Sequence, residues 1–205
     1  MLGVSRTTVR SALQSLEQHG VLTRSPRRGT NVHGRMSASM VALQRLVGFS
    51  RLLDEQGYKV ELTTKLTKTT APPPEATAAS AIRAEAPCYK IDRMVVASGQ
   101  PAIWAIDYFP TDIVKVPLRR DHLAHSPFEM GDLLVGGPID HALVALVPRN
   151  ATKEVVEHLA LKPSEAYLML QEIHFSESGT VLGFSLIHVN DHFVRFQLHR
   201  GGDGL

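Results

Sequence analysis

The sequence predicts an α+β protein: strands joined as hairpins into a mainly antiparallel sheet, helices inserted between them, and a small basic segment in front. Three observations predict it. Strand-length apolar runs recur between turn sequences such as Ser98-Gly99-Gln100-Pro101 and Glu177-Ser178-Gly179. No regular strand-helix-strand alternation accompanies them, which argues against a parallel sheet. The first thirty residues read instead as one amphipathic helix followed by an arginine-tipped turn.

Composition sets the outer limits. The 205 residues are 43% hydrophobic and 20% charged, which is ordinary for a globular chain and excludes disorder and fibrous repeats. No apolar run approaches the roughly 18 to 20 residues of a membrane span, and the N-terminus lacks the basic-then-apolar pattern of a signal peptide. A cytoplasmic location without a membrane partner is expected. The single cysteine, Cys88, excludes an internal disulfide and a thiolate zinc site, and no cofactor is expected. Net charge is +2, yet residues 1–35 carry six arginines against Glu17, a local +5 that leaves −3 for the remainder. A basic end on a mildly acidic body suggests polyanion binding at that end alone.

Taken in order, Ser5 is a good N-cap, and Val9, Leu13 and Leu16 form one apolar stripe on a helix of about 13 residues ending near Gly20. Its first turn shows Arg6, Thr7, Thr8 and Arg10 outward, short hydroxyls and forked guanidiniums suited to phosphates and guanine edges. Val21 and Leu22 then open a strand, Ser25 to Gly29 makes a basic turn, and Thr30 to Val32 returns. His33 to Val47 reads as a linker. Beyond it the sequence predicts a helix from Ser50 to Gln56, a strand from Lys59 to Thr70 and an alanine-rich helix from Glu75 to Ala84. The clearest hairpin pairs Cys88–Ala97 with Ala102–Phe109. Later strands are expected at Ile139–Val147, Ala166–Phe175, Val181–Val189 and Val194–Leu198, with a helix over Ala151–Leu159.

The stretch LGVSRTTVRSALQSLEQHGVLTRSPRRGTNV resembles the recognition helix and wing of the GntR family of bacterial transcription regulators. That pattern runs Gly-Val-Ser-Arg-x-Thr-Val-Arg-x-Ala-Leu, then Leu-Glu, Gly and a Gly-Thr wing return. The resemblance implies operator DNA as a partner, with Ser5, Arg6, Thr7, Thr8 and Arg10 in the major groove and Arg27, Arg28, Gly29 and Thr30 at the wing. A complete winged helix has two further helices ahead of the recognition helix. The expectation is therefore a truncated winged-helix remnant over residues 1–33 and weak or absent DNA binding by these residues alone.

Residues 34–47 are expected to be the linker, and 48–200 are similar to the ligand-sensing UTRA domain of the HutC branch of that family. The resemblance rests on Ile91-Asp92-Arg93, the Ser-Gly-Gln-Pro turn, Tyr108-Phe109-Pro110, Ser126-Pro127-Phe128-Glu129, Leu161-Lys162-Pro163, Gly179 with Ser185, and Arg195-Phe196. It implies a chorismate lyase-like fold, an analogy without enzymatic implication by itself, a small effector and a homodimer. Arg93 matches the family's anion-binding arginine, whose planar fork suits phosphate or carboxylate. Ser126 and the amides around Phe49, Ser50 and Arg51 match further anion donors at helix starts.

Departures from the family pattern shape the expected pocket. Val95 stands where a second arginine is common, Ala105 where a glutamate is, and Gly183 where another acid is. A more apolar pocket is expected, with Val95 and Trp104 among its walls and Asp107, Ser185 and His188 as polar fixers. Other readings of the same residues stay open: Arg93 in a surface ion pair with Asp92 or Glu172, and the aromatic residues as core. A metal at His188-x-x-Asp191-His192 or Asp121-His122-x-x-His125 lacks specified geometry. Two rival functions also stand: a dimeric effector-binding fragment that no longer binds DNA, and a lyase-like enzyme, for which no local catalytic motif appears.

Overall fold

Alternation of buried and half-buried positions runs without a break from Tyr89 to Ala97, the signature of a strand covered on both faces. The computed structural model describes residues 3–18, 22–25, 29–32, 40–41, 46–69, 71–79, 81–123 and 126–196. The chain divides into two units, one of Met1–Gln44 with Arg195–Leu205 and one of Arg45–Val194.

In the first unit, helix α1 spans Arg6–Gln18. Ser5 caps it: the hydroxyl accepts the backbone N–H of Thr8 at 3.1 Å and lies 2.8 Å from the Thr8 hydroxyl. Strands β1 (Leu22–Ser25) and β2 (Gly29–Val32) pair antiparallel, and Gly29 supplies a φ of +80° where the second strand begins. Strand β3 is Met40–Val41.

The second unit opens with helix α2 (Phe49–Glu55) and strand β4 (Val60–Thr69), followed by helix α3 (Pro74–Ala78) and strands β5 (Cys88–Ala97) and β6 (Gln100–Pro110). Four short 3-10 turns between Thr111 and Leu133 lead to strand β7 (His141–Asn150), helix α4 (Lys153–Leu159) and strands β8 (Ala166–Phe175) and β9 (Val181–Val189). The six strands stand in the order β4-β5-β6-β9-β8-β7, every neighbouring pair antiparallel. On one face Trp104, Ile106, Phe184 and Met169 pack with Ala76 of α3 and with Val155 and Leu159 of α4. On the other, Tyr89, Ile91 and Phe109 pack with Leu123, Met130 and Leu134 of the long connection. Each such side chain, fully buried, contributes about 1.5–3 kcal/mol.

Three expectations need correction. The alanine-rich helix ends at Ala78 rather than near Ala84, because the amides of Ala81 and Ile82 both turn back to the Ala76 carbonyl. That turn buries Ile82 and Ala86, so tertiary packing overrides helix propensity. Of the expected strand Val194–Leu198, Gln197 and Leu198 lie outside the described residues; β10 (Arg195–Phe196) pairs parallel with β3 rather than with its predecessor. Asn190 ends β9: its side chain accepts the His192 amide at 3.1 Å while its carbonyl takes the Phe193 amide, which turns the chain away. The helix expected at Ser126 is a three-residue 3-10 turn, Pro127–Glu129. At the main hairpin, Ser98 (φ 49°) and Gly99 (φ 84°) alone make the turn.

Candidate functional site

Side chains two apart on a strand share a face, and the pairing register brings those of five strands to one cavity, Leu62 coming from β4 opposite Val95. Arg93 and Val95 come from β5, Ile103, Ala105 and Asp107 from β6, Ile187 from β9 and Glu172 from β8. Gly48, Phe49 and Ser50 at the start of α2, together with Ser126, Pro127 and Phe128, complete the walls around about 490 Å3 of space, counted to the open mouth. A Cβ on Gly48 would lie 2.5 Å from the Ser126 Cβ, so glycine is what lets these two segments meet.

Beneath the apolar lining lies a buried polar row. Arg93, 4% exposed, forms an ion pair with Asp107, 1% exposed. The Ser185 hydroxyl donates to Asp107 Oδ1 at 2.6 Å, and His174 Nε2 lies 2.8 Å from the same hydroxyl oxygen. Because a serine has one proton and Asp107 receives it, His174 Nε2–H is the donor in the second contact. Burial first, and the Arg93 charge second, pull His174 down to about 4, so it is neutral at pH 7. Burial alone pulls Arg93 down to about 10, still a cation at pH 7, and pushes Glu172 up to about 7. Arg93 Nε and Ser126 Oγ have no hydrogen-bond partner among the described residues. In a nucleophilic triad the histidine sits between serine and acid; here the serine sits between histidine and acid, which orients Asp107 and leaves Ser185 unactivated.

Of the residues singled out in the sequence, Phe49, Ser50, Arg93, Val95, Asp107 and Ser126 line this cavity. Four others do not. Arg51 is exposed and pairs with Glu55 at 3.0 Å. Ser185 stands behind Asp107 as its donor. Trp104 belongs to the opposite face, stacked against His158 at 4.0 Å and His188 at 4.6 Å. His188 shares that face, hydrogen-bonded through Nδ1 to the Tyr167 hydroxyl at 2.9 Å and pulled down to about 4 by burial and then by His158. A strand reverses side at every residue, so Trp104 cannot share a wall with Asp107, three positions on. The alternative of an Arg93–Asp92 pair is excluded by the same rule, and Asp92 lies 3.5 Å from Lys90 instead. Sequence reading missed Glu172 as a wall of the cavity. Its alternation with Leu170 and His174 was the available signal.

Gly183 explains the absence of an acid at that position. A Cβ there would lie 2.9 Å from two ring carbons of Phe109 and from the Tyr108 carbonyl oxygen, so the space belongs to Phe109. Gly183→Ala is expected to cost about 1–3 kcal/mol by this overpacking. A urea unfolding midpoint equal to that of the parent would show that the ring yields freely.

In the first unit, Arg6, Thr7 and Arg10 are exposed on α1, as are Gly29 and Thr30 on β2, while Ser5 and Thr8 are bonded to each other at the helix start. Arg27 and Arg28 lie outside the described residues. Val9 of the apolar stripe is 40% exposed. Among the described residues no helix is long and apolar enough to cross a membrane.

Comparison with known proteins follows the same division. Residues 55–193 match the UTRA domain, and residues 1–32 match the bacterial regulatory proteins of the gntR family. The chain is 25% identical over 194 residues to the uncharacterized HTH-type transcriptional regulator YydK of Bacillus subtilis strain 168, covering 91% of this chain and 78% of that protein. The crystal structure of YydK superimposes with a TM-score of 0.69 at 22% identity, over 96% of this chain and 84% of that one. The structure of PhnF from Mycobacterium smegmatis does so with a TM-score of 0.65 at 15% identity, over 98% and 87%.

Proposed function

The chain belongs to the UTRA domain family and carries a gntR-family segment at its start, and from that premise we propose a one-component transcription regulator of the HutC branch, with the cavity as its effector site. Proteins of this kind bind operator DNA and small-molecule effectors. In our reading residues 1–33 are the partial winged helix, 34–47 the linker and 48–200 the effector-binding and dimerisation domain of a cytoplasmic homodimer without enzymatic activity. Paired half-sites on DNA call for a two-fold protein. The effector is a small anionic or mixed apolar-anionic metabolite, and it acts by favouring one spacing of the paired DNA-reading segments. Typical couplings of this sort are about 1–3 kcal/mol.

The observation that carries this reading is Arg93: a buried guanidinium in the wall of a cavity, with Nε unpartnered. A buried donor without an acceptor costs stability, and an acidic ligand repays that cost.

A thermal-shift screen of the chain against phosphates, carboxylates and small aromatic acids tests it. A ligand at about 100 times its Kd adds about 2.7 kcal/mol to the native state. The shift should shrink sharply in Arg93→Lys, which keeps a cation beside Asp107 but loses the fork. An equal shift in that variant would remove Arg93 from the site.

A further inference from the structure

The polar row under the cavity is one-sided. Asp107 takes the Ser185 proton on Oδ1 and the Arg93 guanidinium at Oδ2, and Ser185 in turn takes the His174 Nε2–H. The Ser185 hydroxyl and one nitrogen of Arg93 are thus both committed to Asp107. Glu172 sits directly across from Ser185 in the β8–β9 register, is 6% exposed and lines the cavity. Yet Ser185 has no proton left for it, and among the described residues no hydrogen bond or ion pair holds its carboxyl group. Among the described residues Arg93 is the one cation lining the cavity and is already matched by Asp107, so Glu172 is a second acid without a partner among them. A bare anion arriving there would add a third acid to one guanidinium.

We propose that the effector is bipolar, carrying a protonated amine or similar cationic donor as well as its acidic group, and that Glu172 is the residue that receives the donor. This rests on the cavity being the effector site. It assigns the acid of the ligand to the Arg93 end and the amine to the β8 side, with Val95, Ile103, Ile187 and Phe128 spanning the apolar middle. A charge-assisted hydrogen bond to a buried carboxylate is among the stronger contacts available. Burial holds Glu172 near 7 in the free protein, and a cation beside it favours the ionised form, as an opposite charge does for any acid. Glu172 thereby selects among acids: those with an amine enter with charge balanced, and those without one do not.

The test uses the whole chain and three matched pairs of probes: 4-aminobutanoate with butanoate, 4-(aminomethyl)benzoate with 4-methylbenzoate, and O-phosphoethanolamine with ethyl phosphate. Affinities are read by calorimetry at pH 7.5. At least one amine-bearing member should bind about tenfold or more tightly than its partner. Glu172→Gln, nearly isosteric, should bring the two members to within about twofold of each other. Should that variant unfold, carbon-13 NMR of glutamate-labelled parent protein supplies the same answer: the amine probe, and not its counterpart, should move the buried carboxyl resonance. Equal affinity within all three pairs overturns the proposal, as does a preference that survives Glu172→Gln. A preference for the amine-bearing members that grows as pH falls toward 6 also overturns it, since protonating Glu172 should weaken that preference. If the amine-free acids bind equally well and both members are lost in Arg93→Lys, the sensor reading stands while this one falls. Binding of no probe at millimolar concentration overturns the bipolar reading, and the wider screen described above then decides the sensor reading separately.

Discussion

Asp107→Asn should destabilise the second unit by about 3–5 kcal/mol, lowering its melting temperature by roughly 10 °C. The aspartate is 1% exposed and is the counter-charge of an arginine equally enclosed. Asparagine keeps the shape and can still accept the Ser185 hydroxyl, so packing and that hydrogen bond survive. What is lost is the charge, and Arg93 cannot escape by shedding its own proton: even pulled down to about 10 by burial it remains a cation at pH 7. A buried unpaired guanidinium is then the whole cost. The same reasoning makes the double replacement Arg93→Met with Asp107→Leu cheap, because removing both charges also removes both desolvation penalties. Urea unfolding of the two variants separates the cases. A double variant as unstable as Asp107→Asn would mean that the pair is held by shape rather than by charge. For the effector, the double variant should be blind to acids while Asp107→Asn, which keeps the guanidinium, should still bind them, which separates the fold's need for neutrality from the ligand's need for the fork.

The pair also marks where sequence reading succeeds and where it stops. The sheet was legible because each strand carries its own signal: Cys88–Ala97 and Ala166–Phe175 alternate, and Ser98-Gly99 supplies the two positive φ values of a tight hairpin. Arg93, Asp107 and Val95 were legible as site residues through charge or resemblance. Trp104 and His188 were drawn to the same site by residue type, although the two-residue period sends them to the other face, where they stack on each other. Glu172 was missed for a different reason. Its significance depends on Ser185 having spent its proton elsewhere, which is a property of the β6–β9–β8 register and not of any one strand. The 3-10 turns between Thr111 and Leu133 and the residues that flank them carry no periodic signal at all, yet this connection supplies Leu123, Met130 and Leu134 to the core; only the sheet it covers gives it its form.

Stability should be nearly level from pH 8 to 6.5 and then fall by about 2 kcal/mol by pH 4.5, the resultant of three buried groups pulling in opposite directions. His174 and His188 are each pulled from 6.5 to about 4. Below pH 6.5 the unfolded chain takes up protons that the folded one refuses, so each histidine withdraws stability as pH falls, on the order of 2–3 kcal/mol by pH 4.5. Glu172 is pushed from 4.5 to about 7 and has the reverse effect. Its burial costs nothing in charge below 4.5 and costs most above 7, so falling pH returns on the order of 2–3 kcal/mol over the same window. Two losses against one gain leave the net fall, and the near-level stretch above 6.5 is where the gain and the first part of the losses offset. Glu172→Gln removes the gain alone, so the acid fall should steepen to about 5 kcal/mol while stability at pH 7 rises. His188→Asn removes one of the losses, and its curve should run almost level to pH 4.5. Urea unfolding at half-unit pH steps distinguishes the three. If Glu172→Gln gives a curve parallel to the parent's, the carboxyl is ionised and partnered in the folded state, and the donor-poor end of the cavity is not where the register places it.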